Sequence, residues 1–272
     1  MNGEQIRVST HDGRSKGAEI ATGPLSKLAV TENRDIFCLE GVSKRWAGDH
    51  GFILTVPTLR IGKGEKLALV GFSGCGKSTL LDLLAMVLRP DKADEFSFFA
   101  GRDDRLDVID AWRRKDLDRL ANARMHHMGY VLQTGGLFPF LSVRDNIGLI
   151  RRGLGLPEKD AVEAVAKKLN IERHLDKLPG QLSVGERQRV AIGRAMAHEP
   201  SVVIADEPTA SLDPINAEEI MALFTGLADE YDVTLIVATH DWGRVAEKGF
   251  RRVEFELEQD LTEGAVRAKV CG

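Results

Sequence analysis

The nine residues Gly71-Phe72-Ser73-Gly74-Cys75-Gly76-Lys77-Ser78-Thr79 constrain this chain more than any others. They follow directly on an apolar run at 67–70. They lead into a stretch, 77–88, whose apolar residues recur at helical spacing until Arg89-Pro90-Asp91 stops it. Strand, glycine-rich loop and helix in that order make a phosphate-binding loop. The glycines Gly71, Gly74 and Gly76 let backbone N–H groups turn inward without Cβ clashes, which builds a concave anion nest. The helix adds the positive end of its dipole. In such a loop the lysine, Lys77, reaches the β- and γ-phosphates, and the Ser78 hydroxyl holds Mg²⁺. Ser73, Cys75 and Thr79 complete the cradle; for Cys75 the backbone is expected to matter and the thiol not.

The rest of the chain supplies an α/β frame for that loop. Apolar runs at 36–39, 52–56 and 59–61 predict three strands before it. Nearly all-apolar runs at 128–132, 201–205 and 233–238 suit a parallel sheet covered by helices on both faces. Between the first and second of these runs, 142–178 is rich in helix formers. The expected fold is a P-loop NTPase core with a mostly parallel sheet, an N-terminal antiparallel β subdomain and an inserted α-helical subdomain at 134–180. Residues 1–34 mix Gly, Ser, Thr and charge without periodicity and read as a flexible tail before a domain at 35–272. The charged stretch 102–124 reads as a solvated helix.

Two acids, Asp206 and Glu207, close the strand at 201–205. One carboxylate cannot both support a metal and take a proton from water. In nucleotide hydrolases the first acid at such a strand end supports the metal, which makes Asp206 the metal-side acid and Glu207, next along the chain, the candidate base. His240, at the end of the run at 233–238, is placed to hydrogen-bond a γ-phosphate. Gln133, after the run at 128–132, is placed to touch Mg²⁺ or water. Elsewhere, Leu182-Ser183-Val184-Gly185-Glu186-Arg187-Gln188 precedes a predicted helix at 189–198. A hydroxyl and a glycine at a helix start form a second anion-binding end. Read alone, Ser183 is an ordinary helix cap. A head-to-tail pair of chains, each serine loop covering the other's nucleotide, would reconcile two anion-facing elements with one complete cradle.

Composition narrows the function further. With 37 Lys+Arg against 41 Asp+Glu, the net charge is −4. That gives no support for binding nucleic acid or anionic membranes through excess positive charge. The three cysteines, Cys38, Cys75 and Cys271, are too few for a disulfide framework. No run approaches the ~20 apolar residues that cross a bilayer, and 1–34 lacks the apolar segment of a signal peptide. A role at a membrane then needs a partner that supplies the spans.

In this order, the phosphate loop, Gln133, Leu182-Ser183-Val184-Gly185-Glu186, Asp206-Glu207, Ser211-Leu212-Asp213 and His240 resemble the ATP-binding cassette (ABC) ATPases of ABC transporters. The resemblance spans 36–250. It implies ATP and Mg²⁺ as cofactors, ATP hydrolysis, a homodimer with Ser183 and Gly185 acting across its interface, and an integral membrane permease as partner. It places the chain in the cytoplasm, peripheral to the inner membrane. It further implies that Trp46 stacks on adenine, that Asp213 links the two sites, and that Gln133 and 134–146 feel the membrane partner. Val184 stands for the usual glycine and Glu186 for the usual glutamine, while Ser183 and Gly185 are kept. The stretches 54–78 and 133–147 are similar to the lipoprotein-releasing, macrolide-exporting and cell-division ATPases. A soluble regulator acting on ribosomes or DNA lacks its usual second cassette or coiled coil here. A phosphate-loop kinase would explain the cradle but not Ser183, Asp213 or His240.

Overall fold

The computed structural model describes residues 35–46, 51–101, 104–260 and 265–272; the tail predicted at 1–34 lies outside the described residues. In chain order the elements are β1 (Asp35–Trp46), β2 (Phe52–Gly62), β3 (Lys66–Val70), α1 (Lys77–Leu84), β4 (Glu95–Phe99), β5 (Arg105–Asp107), α2 (Val108–Arg114), α3 (Leu117–His127) and β6 (Met128–Val131). There follow α4 (Val143–Gly153), α5 (Lys159–Lys168), α6 (Val184–Met196), β7 (Val202–Asp206), α7 (Pro214–Glu230), β8 (Thr234–Thr239), α8 (Trp242–Ala246), β9 (Arg251–Asp260) and β10 (Ala265–Cys271).

Among the described residues the strands form one sheet in the order β5-β4-β1-β2-β10-β9-β3-β8-β7-β6. The pairs β3–β9, β3–β8, β8–β7 and β7–β6 are parallel, and the strands at the other end, β2–β1–β4–β5, are antiparallel. The antiparallel part is thus continuous with the parallel part through the hairpin β9–β10. Alternation along each central strand feeds two cores. Ala68, Val203, Ala205, Leu235 and Val237 face helices α4 to α7. Leu67, Leu69, Val202, Ile204, Ile236 and Ala238 face α1, α2, α3 and β1, β2, β4. Burial on both faces explains why these strands are almost wholly apolar.

Four readings of the sequence need correction. The runs at 52–56 and 59–61 are one strand, β2. Pro57 does not break it because it stands opposite Gly41, between the paired residues Val42–Val56 and Glu40–Thr58. On its other side β10 pairs only with Phe52 to Thr55, so the missing N–H costs no ladder bond. Helix α1 stops at Leu84, four residues early, where Met86 takes a left-handed φ of 55°. Helix α6 starts at Val184, five residues before the predicted start, with Ser183 as its cap. Within the charged stretch, α2 and α3 are two helices, each capped by an aspartate (Asp107, Asp116), and Val108, Ala111 and Leu120 are buried.

His198 ties the end of α6 to β6, its Nε2–H donating to Met128 O at 3.1 Å while Nδ1 has no partner. Burial pushes its pKa down to about 4. The native ring stays neutral where the unfolded chain, with a value near 6.5, takes up a proton. Stability therefore falls as pH drops from about 6.5 towards 4. At ~1.4 kcal/mol per unit, the loss from this group is up to about 3 kcal/mol. Urea unfolding of wild type and His198→Gln between pH 7 and 4.5 checks this; the wild type is expected to lose stability more steeply.

Candidate active site

The loop between β3 and α1 is built by local rules. Gly74 and Gly76 take φ of 81° and 102°, conformations that side chains resist. A Cβ on Gly76 would meet Phe52 Cζ at 3.0 Å and Leu54 Cδ1 at 3.1 Å, so β2 packs directly on the loop. A Cβ on Gly71 would lie 2.6 Å from Cys75 Sγ. The buried thiol fills that space, which gives Cys75 a packing role behind the cradle. Gly76 caps α1 without any side-chain hydrogen bond, whereas Ser142, Ser183 and Asp213 cap α4, α6 and α7 with theirs. The first N–H groups of α1 therefore remain open to an anion.

A cleft of about 480 Å³ is lined by Phe72, Ser73, Gly74, Gly76, Lys77, Ser78, Thr79, Gln133, Asp206, Glu207 and His240. The Lys77 ammonium donates to Gly71 O at 2.7 Å and Phe72 O at 3.0 Å, and lies 3.7 Å from Glu207 Oε1. Ser78 Oγ–H donates to Asp206 Oδ2 at 2.7 Å. One turn further along α1, Tyr130 donates to Asp82 at 3.4 Å. Burial, reinforced by the charge of Asp206, raises the Asp82 carboxyl above its usual range despite that bond. The hydroxyl of Ser78, the carboxylate of Asp206 and the amide of Gln133 share the cleft. All are oxygen donors, which suits a hard divalent cation such as Mg²⁺.

Glu207 breaks the strand direction at the end of β7. It adopts φ 46°, a left-handed conformation that is uncommon outside glycine and concentrates at functional sites. Its N–H is tied to Ala238 O at 3.0 Å. Its Oε2 lies 2.6 Å from His240 Nδ1. A carboxylate only accepts, so Nδ1 carries the hydrogen and Nε2 is the ring's free nitrogen. His240 thus fixes the orientation of Glu207, and its exposed ring lines the cleft.

Ser183, Gly185 and Asp213 are brought together, but elsewhere. With Asn170, Arg173, Glu186 and Arg189 they line a second cleft of about 520 Å³ that shares no lining residue with the first. Ser183 Oγ accepts from Glu186 N at 3.3 Å, and Glu186 Oε2 accepts from Ser183 N at 2.8 Å, a reciprocal capping box. Asp213 caps α7 through Ile215 N and Asn216 N. The Asn216 side chain above all holds the Asp213 carboxyl below its usual range.

Gln133 lines the first cleft. It also lines a recess of about 310 Å³ with Thr134, Val184, Gln188 and Leu212. Beyond it, Arg194 holds Gly135 O and Gly136 O, and the fully buried Asn146 bonds Phe138, Leu141 and Ser142. This scaffold presents Phe138 and Phe140 to solvent, 41% and 73% exposed, with ring centroids 5.8 Å apart. Trp46 does not line the first cleft. It pairs with Phe52, which packs on Gly76, and Lys44 Nζ lies 5.6 Å from its ring. Sequence reasoning missed Phe72, 85% exposed at the mouth of the cleft, although its position inside the loop was a sufficient signal. It also missed His174, 2.8 Å from Glu186, for which no local signal exists.

The ABC transporter family profile matches residues 54–210. The lipoprotein-releasing system ATP-binding protein LolD of Rickettsia conorii is 31% identical over 215 residues, which cover 77% of this chain and 90% of that protein. The macrolide export ATP-binding/permease protein MacB of Rhodopirellula baltica is 39% identical over 210 residues, 75% of this chain. The chain spans only 29% of that relative's length. Among solved structures, the dimeric bacterial ABC transporter cassette MJ0796 is similar with a TM-score of 0.70 at 30% identity, over 85% of this chain and 96% of that one. A post-hydrolysis state of MJ0796 bound to ADP and Pi has the same TM-score.

Proposed function

This chain belongs to the ABC transporter family, and from that premise we propose that it is an ATP-hydrolysing subunit working as a head-to-tail pair on a membrane permease. The observation that carries the pairing is the separation of the two clefts. Lys77, Ser78, Asp206 and Glu207 line one, while Ser183, Gly185 and Asp213 line another that shares none of its residues. A second copy turned head to tail sets its Ser183 loop against the first chain's nucleotide.

In this reading the residues of 71–79 wrap the phosphates, Lys77 binds the β- and γ-phosphates, and Trp46 stacks on adenine. Ser78, Asp206 and Gln133 hold Mg²⁺, whose charge offsets that of the phosphate oxygens when it is bound. Glu207, oriented by His240, takes a proton from the attacking water. His240 Nε2 faces the γ-phosphate. Ser183 and the N-terminus of α6 complete the anion site from the partner copy, and Asp213 joins the two sites. LolD and MacB are named for lipoprotein release and macrolide export; a permease of that subgroup is the proposed partner, at the cytoplasmic face of the membrane. Among the described residues no helix is long and apolar enough to cross a membrane.

The exposed Phe138 and Phe140 beside Gln133 are the proposed permease contact, since an apolar patch next to a nucleotide-facing residue can pass closure on. Two measurements test the proposal. The purified chain is expected to release phosphate from Mg·ATP with no acceptor added, which a transferase would not do. In cells, Phe140→Asp is expected to move the protein from the membrane fraction to the supernatant while basal hydrolysis stays within about twofold, as for an exposed site away from the chemistry. Unchanged membrane association would remove Phe140 from the contact.

A further inference from the structure

The second cleft, lined by Ser183, Gly185 and Asp213, contains a group that an anion site does not call for. Glu186 places a carboxylate in the same cleft as Ser183 and Gly185, the proposed seat of the partner copy's phosphate. Like charges in one site repel unless one is held and compensated. His174 is placed to do this. It ends a short 3-10 turn, Glu172–His174, between α5 and α6, is only 6% exposed, and has Nε2 2.8 Å from Glu186 Oε1. The other carboxylate oxygen accepts from Ser183 N at 2.8 Å, and the Glu186 N–H in turn donates to Ser183 Oγ. The three residues form a closed chain from a buried ring to the serine.

The tautomer follows from the partners. Because the carboxylate can only accept, Nε2 carries a hydrogen and donates it. Arg173 Nε also lies 3.0 Å from that nitrogen. The two contacts cannot both be hydrogen bonds, and the shorter one, to a carboxylate, decides. Arg173 then acts as a solvated charge, its guanidinium 4.0 Å from the same carboxylate oxygen. The Ser183 N–H first, with the serine hydroxyl and His174 adding, holds the Glu186 carboxyl below its usual range.

We propose that His174 is a positioning residue: it holds the Glu186 carboxylate on the Ser183 backbone N–H, so that the serine hydroxyl and the start of α6 stay aligned for a phosphate. This rests on the reading of Ser183 as the partner-facing anion site. With leucine at 174, the carboxylate loses its charge-assisted bond and competes with the incoming phosphate.

The test measures ATP-dependent dimerisation by sedimentation, in a Glu207→Gln background that stores the closed pair. His174→Leu is expected to weaken dimerisation roughly tenfold, the scale of one hydrogen bond to a charged group. His174→Gln, which keeps a donor near the Nε2 position, is expected to recover most of that loss. Binding of a fluorescent ATP analogue to dilute single chains should be unchanged, because the cradle is a separate cleft. In a further Glu186→Gln background, where no carboxylate needs holding, His174→Leu should cost less than about twofold. An equal loss in both backgrounds would make His174 merely structural, and no loss in either would remove it altogether. Ser183→Arg separates the levels. If it blocks dimerisation while His174→Leu is silent, the positioning role alone fails; if it too is silent, the underlying reading of Ser183 fails.

Discussion

Glu207→Gln is expected to lower kcat for ATP hydrolysis by about 10²–10⁴-fold while leaving ATP binding near wild type. The amide keeps the size and the partner of the carboxylate: Gln Oε1 can still accept from His240 Nδ1, which now lies 2.6 Å from Glu207 Oε2. What disappears is the capacity to receive a proton from water. The ammonium of Lys77, 3.7 Å away, is not replaced as a cradle group by the change, so nucleotide affinity should hold or rise slightly. In the proposed head-to-tail pair, hydrolysis would remove the γ-phosphate that the partner copy's Ser183 loop contacts, so the variant should accumulate as a closed dimer in ATP. Phosphate release under single-turnover conditions checks the rate and sedimentation checks the dimer. A variant that turns over within about tenfold of wild type, well short of the usual contribution of a general base, would take that role from Glu207.

Lys77→Ala is expected to reduce ATP affinity by about 100-fold, the worth of two charge-assisted contacts. The ammonium is only 6% exposed and aimed by Gly71 O and Phe72 O, so it is pre-placed in the loop and little ordering is spent when phosphate arrives. Removing it also leaves Glu207 without its nearest cation. Titration with a fluorescent ATP analogue measures the loss. An affinity within about threefold of wild type, less than one such contact is worth, would show that the loop backbone alone carries the phosphates.

How much of this was legible depends on how local each feature is. The cradle was, because nine adjacent residues carry both its backbone freedom and its charge, and the structure places Ser73, Gly74, Lys77, Ser78 and Thr79 in one cleft with Gln133, Asp206, Glu207 and His240. The central strands were too, since burial on both faces leaves an unbroken apolar run. The hairpin β9–β10 was not. Val253, Ala268 and Val270 are buried, but they alternate with exposed Arg, Glu and Lys, and a search for continuous apolar runs passes over such strands. The start of α6 was misplaced because Val184-Gly185 carries weak helix formers. Only the capping box of Ser183 and Glu186 marks the boundary. The two clefts and the His174–Glu186 contact depend on packing between distant elements, which spacing along the chain does not encode.

The central claim is that each working ATP site draws its cradle from one chain and its serine from another. Mixing two inactive variants tests it most directly. Lys77→Ala spoils both cradles of its homodimer, and Ser183→Arg spoils both serine loops of its own. In a mixed pair, one site joins the intact cradle of the Ser183→Arg chain to the intact serine of the Lys77→Ala chain. Phosphate release is therefore predicted to appear on mixing and to peak near equal proportions. No release at any ratio, or full activity of Ser183→Arg alone, would mean that a single chain encloses its own nucleotide.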